Sequence, residues 1–109
     1  MQQYLILLKG KKELDYSPEE LQKRLVAYRS WVAQIGDNYI DGQRLDKTGF
    51  HFRAKDQVLT DGPFLEAKEI IAGYIRIKVK NQKEAVQITK RLPLLDHFEA
   101  YLRPIIQHD

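Results

Sequence analysis

The sequence predicts an α+β protein, a ferredoxin-like split βαβ sandwich with an inserted β-hairpin, and three observations predict it. Two segments carry apolar residues at helical spacing, each behind its own start signal. Two others alternate apolar and polar residues with a period of two, as half-buried strands do. Their order along the chain, β-α-β-(β-hairpin)-β-α-β, is the split βαβ pattern, which places two helices on one face of an antiparallel sheet.

The first strand is the apolar, β-prone run Tyr4 to Lys9, which ends at Gly10. The first helix begins at Ser17-Pro18-Glu19-Glu20. Ser17 can accept from a free helix amide, Pro18 suits a position whose N–H would be unpaired anyway, and Glu20 completes a capping box. From there Leu21, Leu25, Tyr28, Val32 and Ile35 form a stripe that a helix gathers on one face, and Gly36 with Asp37-Asn38 closes it. Trp31 lies one step off the stripe and reads as a core or interface residue.

Tyr39 to Leu45 reads as a second strand containing a glycine, and Thr48 to Phe52 with Gln57 to Leu59 as a small hairpin. The next strand, Ile70 to Val79, alternates strictly from Gly73 onward, with Ile75, Ile77 and Val79 on one face and Tyr74, Arg76 and Lys78 on the other. Asn81 and Glu84 then start a second helix with a stripe of Ala85, Ile88, Thr89 and Leu92, stopped by Pro93. The last strand, Phe98 to Pro104, alternates again.

At 109 residues the chain is sized for a single domain, 1–109, able to bury one core without staples. There are no cysteines, which excludes disulfides, thiolate nucleophiles and cysteine-based zinc sites. The five consecutive apolar residues of the amino-terminal run fall far short of a signal h-region or a membrane span, so a cytoplasmic protein without a membrane partner is expected. The net charge of +3 arises from 18 basic and 15 acidic residues that intermingle. A solvated mixed surface follows, and nucleic acid is not the expected partner.

If Ile75, Ile77, Val79, Phe98, Ala100 and Leu102 meet the helices, then Tyr74, Arg76, Lys78, Glu99, Tyr101 and Arg103 share the uncovered face, beside either Leu5 and Leu7 or Ile6 and Leu8. Tyrosine and arginine are enriched where two proteins meet, and arginine forks hold anions through paired hydrogen bonds. A homodimer through this face is therefore expected, with Arg103, Arg76 and Arg44 as candidate contacts for a polar or anionic organic ligand and Tyr74, Phe64 and His51 beside them.

The chain resembles the YCII-related proteins, in particular the subgroup named for its DGPF sequence. The resemblance rests on Lys9-Gly10, the Ser-Pro-Glu-Glu helix start, Trp31, Asp41-Gly42-Gln43-Arg44-Leu45, the Leu59-Thr60-Asp61-Gly62-Pro63-Phe64 core, Glu66, Lys68-Glu69, Ala72-Gly73-Tyr74, Glu84-Ala85, Pro93 and Leu102-Arg103-Pro104-Ile105. It implies a dimeric α+β barrel in which two sheets pack through the uncovered face. It also implies a regulatory alternative, because some members of the subgroup are encoded beside, or joined to, sigma factors. A more distant branch, similar to the chlorohydroxyhydroquinone dehydrochlorinase, uses a histidine in the first helix with an aspartate near the second. Here residues 17–36 contain no histidine and Leu92 precedes Pro93, so that dyad does not carry over.

Two carboxylates remain as catalytic candidates, Asp61 and Glu69. Asp61 before Gly62-Pro63 is a common turn former, and it would equally serve as a general base if Phe64 raised its pKa. Of the histidines, His51 is the one near the motif, His97 follows Asp96, and His108 lies in the tail. No spacing suggests a metal site, and no phosphate loop, nucleophile elbow or dinucleotide fingerprint occurs, so no cofactor is expected.

Overall fold

A computed structural model describes residues 1–10, 17–61 and 70–108. Six strands and two α-helices follow in the order β1 (Gln2–Gly10), α1 (Pro18–Ile35), β2 (Tyr39–Arg44), β3 (Gly49–Ala54), β4 (Gln57–Asp61), β5 (Ile70–Val79), α2 (Gln82–Lys90) and β6 (Glu99–Pro104). Short 3-10 turns, Gly36–Asn38 and Pro93–Asp96, follow the two helices. Strands β2, β5, β1 and β6 pair in that order into an antiparallel sheet, while β3 and β4 form a separate two-stranded sheet. Leaving the hairpin aside, this is the ferredoxin-like order, with each βαβ unit split by an antiparallel strand.

Both helix starts follow from their capping residues. Ser17 Oγ accepts from the Glu20 amide at 3.1 Å, and Asn81 Oδ1 accepts from the Glu84 amide at 2.9 Å. The Glu84 carboxylate reaches one residue further back than a standard capping box and accepts from the Lys80 amide at 2.9 Å. Helix α1 ends at Gly36, whose φ of 54° is one that glycine adopts without a Cβ penalty.

The core lies between the helices and one sheet face. Ile6, Ile77, Val79 and Ala85 are fully buried, with Tyr4, Leu8, Trp31, Ile35, Ile75, Ile88 and Leu92 nearly so. Trp31 anchors this core. It is 2% exposed, and its indole N–H donates to the Ile88 carbonyl at 3.1 Å, tying α1 to α2. The stripe read from the sequence is thus rotated toward Trp31. Leu21 and Leu25 remain 45% and 41% exposed because the first two turns of α1 do not reach the sheet core.

Close packing explains one residue of the Ala72-Gly73-Tyr74 segment. A Cβ on Gly73 would lie 2.7 Å from the Gln43 carbonyl oxygen of β2, a contact that only glycine avoids.

The hairpin is longer than the sequence suggests. Arg53 and Ala54 belong to β3 rather than to the loop, so the turn narrows to Lys55 and Asp56. Every residue of β3 and the first four of β4 are exposed.

Candidate functional site

The face of the main sheet that the helices leave uncovered is built by register. Leu5 of β1 stands opposite Arg76 on one side and Arg103 on the other, and Asp41 of β2 stands opposite Arg76. Residues directly opposite one another share a face. One row across the sheet therefore reads Asp41, Arg76, Leu5, Arg103. By the same pairing the next row reads Gln43, Tyr74, Leu7, Tyr101, and Lys9 lies beyond it opposite Glu99. Leu5 and Leu7, not Ile6 and Leu8, are the aliphatic residues of this face.

Its electrostatics separate the two arginines. Arg76 Nε and Nη2 donate to the two Asp41 carboxylate oxygens at 2.7 and 2.6 Å, the bidentate fork that arginine and carboxylate form best. Arg76 holds the Asp41 carboxyl below its usual range, mainly by this hydrogen bonding, with partial desolvation opposing the shift. The guanidinium is raised in turn. Arg103 is exposed, and no carboxylate among the described residues pairs with it. The Lys9 ammonium lies 5.4 Å from the centre of the Tyr101 ring, within cation–π range.

The other sequence candidates are distributed differently. Arg44 stands opposite Gly73, so it occupies the helix side of the sheet, the opposite face from Arg76. His51 is exposed on β3 opposite Leu59, and Asp61 ends β4 opposite Gly49. Alternation puts His51 and Asp61 on one side of the hairpin, diagonal to each other. Glu69 and Phe64 lie outside the described residues, as does the motif from Gly62 onward. Hence Tyr74, Arg76 and Arg103 share a face, whereas Arg44, His51 and Asp61 are placed elsewhere by strand register.

Two features escaped the sequence reading. The first is Asp41, which neutralises an arginine proposed to hold a ligand. The second is a shallow cleft on the helix side lined by residues that include Glu20, Lys23, Arg24, Asp96 and His97. In it Arg24 Nη2 lies 2.9 Å from His97 Nδ1. Arginine can only donate, so Nδ1 is the acceptor in this contact. Residues 73 positions apart meet here, and no local pattern announces them. Deeper in the molecule the Tyr28 hydroxyl lies 3.3 Å from that of Tyr39, and burial together with this neighbour raises its pKa well above the ordinary tyrosine value.

Among the described residues no three His, Asp or Glu side chains gather as a metal site would require, and no helix is long and apolar enough to cross a membrane.

The fold and site together define an α+β protein with one helix-covered face and one open face that carries the Arg76–Asp41 fork and the exposed Arg103 among tyrosines and leucines. The family model of the YCII-related domain matches residues 2–107, and the chain belongs to that family. A comparison with curated proteins finds no match.

Proposed function

We propose that this YCII-related protein is a homodimer that binds a small anionic organic molecule on its open sheet face, with Arg103 as the anion contact and Tyr74 and Tyr101 beside it. The observation that carries the reading is the contrast within one row of the sheet. Arg76 already has its carboxylate in Asp41, while Arg103, across Leu5, has none among the described residues. An arginine beside tyrosine and leucine side chains offers a fork of donors to a carboxylate in surroundings drier than bulk water. The Thr60-Asp61-Gly62-Pro63-Phe64 segment supports placing the chain in the DGPF subgroup.

Surface area supports the dimer. A folded monomer of 12.8 kDa should expose about 6,300 Å². This chain exposes 8289 Å², about 2,000 Å² more, as a chain whose hairpin packs on no other described element would. The radius of gyration of 15.6 Å likewise exceeds the ~13 Å of a compact chain of this length.

Two measurements test the reading. Light scattering at micromolar concentration is expected to give twice the chain mass. A thermal-shift screen of aromatic and aliphatic carboxylates is expected to find compounds that stabilise the wild type by several degrees and leave Arg103→Gln unmoved. A set of hits that stabilise both proteins equally would remove Arg103 from the site.

A further inference from the structure

The β3–β4 hairpin carries an apolar surface that its own chain does not cover. Its register sets Phe50 opposite Thr60 and Phe52 opposite Val58. Opposed and alternate residues share a side, so Phe50, Phe52 and Val58 lie together. They are 73%, 65% and 43% exposed. A two-stranded ribbon is marginal by itself in water, and an exposed apolar cluster of this kind marks a contact surface.

The open sheet face has the complementary need. Ile71, brought opposite Lys9 by a register slip between β1 and β5, and Tyr101 are 46% and 43% exposed there, with Leu5 and Leu7 half-buried on the same face. One chain thus carries two apolar surfaces, one on an arm and one on the sheet, and neither covers the other. A two-fold dimer covers both reciprocally, because each copy gives its arm and receives its partner's. An arm that stands off its own chain also accounts for the 8289 Å² this chain exposes, above the roughly 6,300 Å² of a compact monomer of 12.8 kDa.

The connection permits it. β2 ends at Arg44, paired with Gly73 at a corner of the sheet, and the hairpin follows from that corner. Six extended residues reach about 20 Å. That is roughly half of the 43 × 41 Å breadth of the chain, enough to pass from a sheet corner to the central strands of a facing copy.

We propose that the hairpin is an exchanged arm: Phe50 and Phe52 of one copy lie on the open face of a second copy at the Tyr74, Leu7, Tyr101 row. The anion site beside Arg103 is then closed by the partner's arm and is incomplete in a single chain. This rests on the face-to-face dimer proposed above, and it adds that each site is built from both copies. Ligand binding and dimerisation are consequently linked, so that ligand tightens the dimer and dilution weakens the site.

The arm and the face carry lysines suited to the test, Lys55 in the hairpin turn and Lys9 and Lys78 on the face. Isotopically light and heavy chains are mixed, allowed to exchange and treated with a short amine-reactive crosslinker. Mass spectrometry should find Lys55 joined to Lys9 or Lys78 with one light and one heavy end. In parallel, Phe50→Ser/Phe52→Ser should raise the dimer dissociation constant by roughly a hundredfold while the far-ultraviolet circular dichroism keeps its helical signal. A wild-type dimer in which Lys55 links to Lys9 and Lys78 only within one chain, or not at all, overturns the exchanged arm and leaves the dimer standing. A wild type that is monomeric at micromolar concentration overturns both.

Discussion

The two faces of β5 are made by the same ten residues and differ in every physical respect. On the helix side Ile75, Ile77 and Val79 are buried to 2% exposure or less, while on the open side Arg76 is half-exposed and Lys78 exposed. The first face holds the fold together through apolar burial, worth roughly 1.5–3 kcal/mol per fully buried aliphatic side chain. The second contributes little to folding and carries the fixed charges. The comparison teaches that alternation divides labour within one strand, so that the open face can change its chemistry without loss of the core.

The largest effect should come from the helix side. Trp31→Ala removes the side chain that packs under both helices and the indole bond to the Ile88 carbonyl. A loss of about 3–5 kcal/mol is expected in urea unfolding followed by circular dichroism. A loss below about 1 kcal/mol would mean that the core collapses around the gap, and the contrast between the faces would fail. Next comes Gly73→Ala, where the new methyl meets the β2 backbone rather than a flexible side chain. It should cost about 1–3 kcal/mol, because β2 must shift or its pairing with β5 must open. Amide exchange localised to residues 42–44 and 72–74 would distinguish this from a general loss of stability.

Most of the framework is legible in the sequence, for identifiable reasons. Ser17 and Asn81 are cap residues with local partners, and the alternation in β5 runs unbroken from Gly73 to Val79, so each element declares itself within a few residues. The open face is less legible. Between Tyr39 and Asp41 the β2–β5 register slips at a bulge. Without it, Tyr39 and Asp41 would share a face; with it, Tyr39 stands opposite Ile77 while Asp41 turns to Arg76. A one-residue slip leaves no compositional trace, so Asp41 could not be assigned to Arg76, nor Arg44 to the helix side. The α1 stripe misled for a related reason. Leu21 and Leu25 have helical spacing, but spacing does not reveal how far along a helix its core extends.

The Asp41–Arg76 pair supplies a smaller effect, with a definite sign. The carboxyl is held below its ordinary value of 3.8, so the folded state favours the charged form. The contribution of the pair is therefore fully present above that ordinary value and is lost as pH falls through the lowered folded one. An NMR titration should find Asp41 protonating below 3.8, and Arg76→Gln should return it toward that value. A carboxyl that titrates at or above 3.8 in the wild type would mean that the fork is open in solution.

The smallest expected effect on stability is the most informative about function. Arg103→Gln removes an exposed charge that no carboxylate among the described residues neutralises, so unfolding free energy should change by no more than about 0.5 kcal/mol. Arg76→Gln is the matched control, a change in the same row on the other side of Leu5 that strands Asp41 without its partner. If the open face binds an anion, the two variants should dissociate the two properties. Arg103→Gln should abolish the thermal shift given by a carboxylate ligand while its own melting temperature stays that of the wild type. Arg76→Gln should lower the melting temperature of the ligand-free protein and still respond to the ligand, because Arg103 remains. The opposite pattern, with binding lost in Arg76→Gln and kept in Arg103→Gln, would mean that the ligand displaces Asp41 from its fork, and the anion contact would move across Leu5 to the other side of the row.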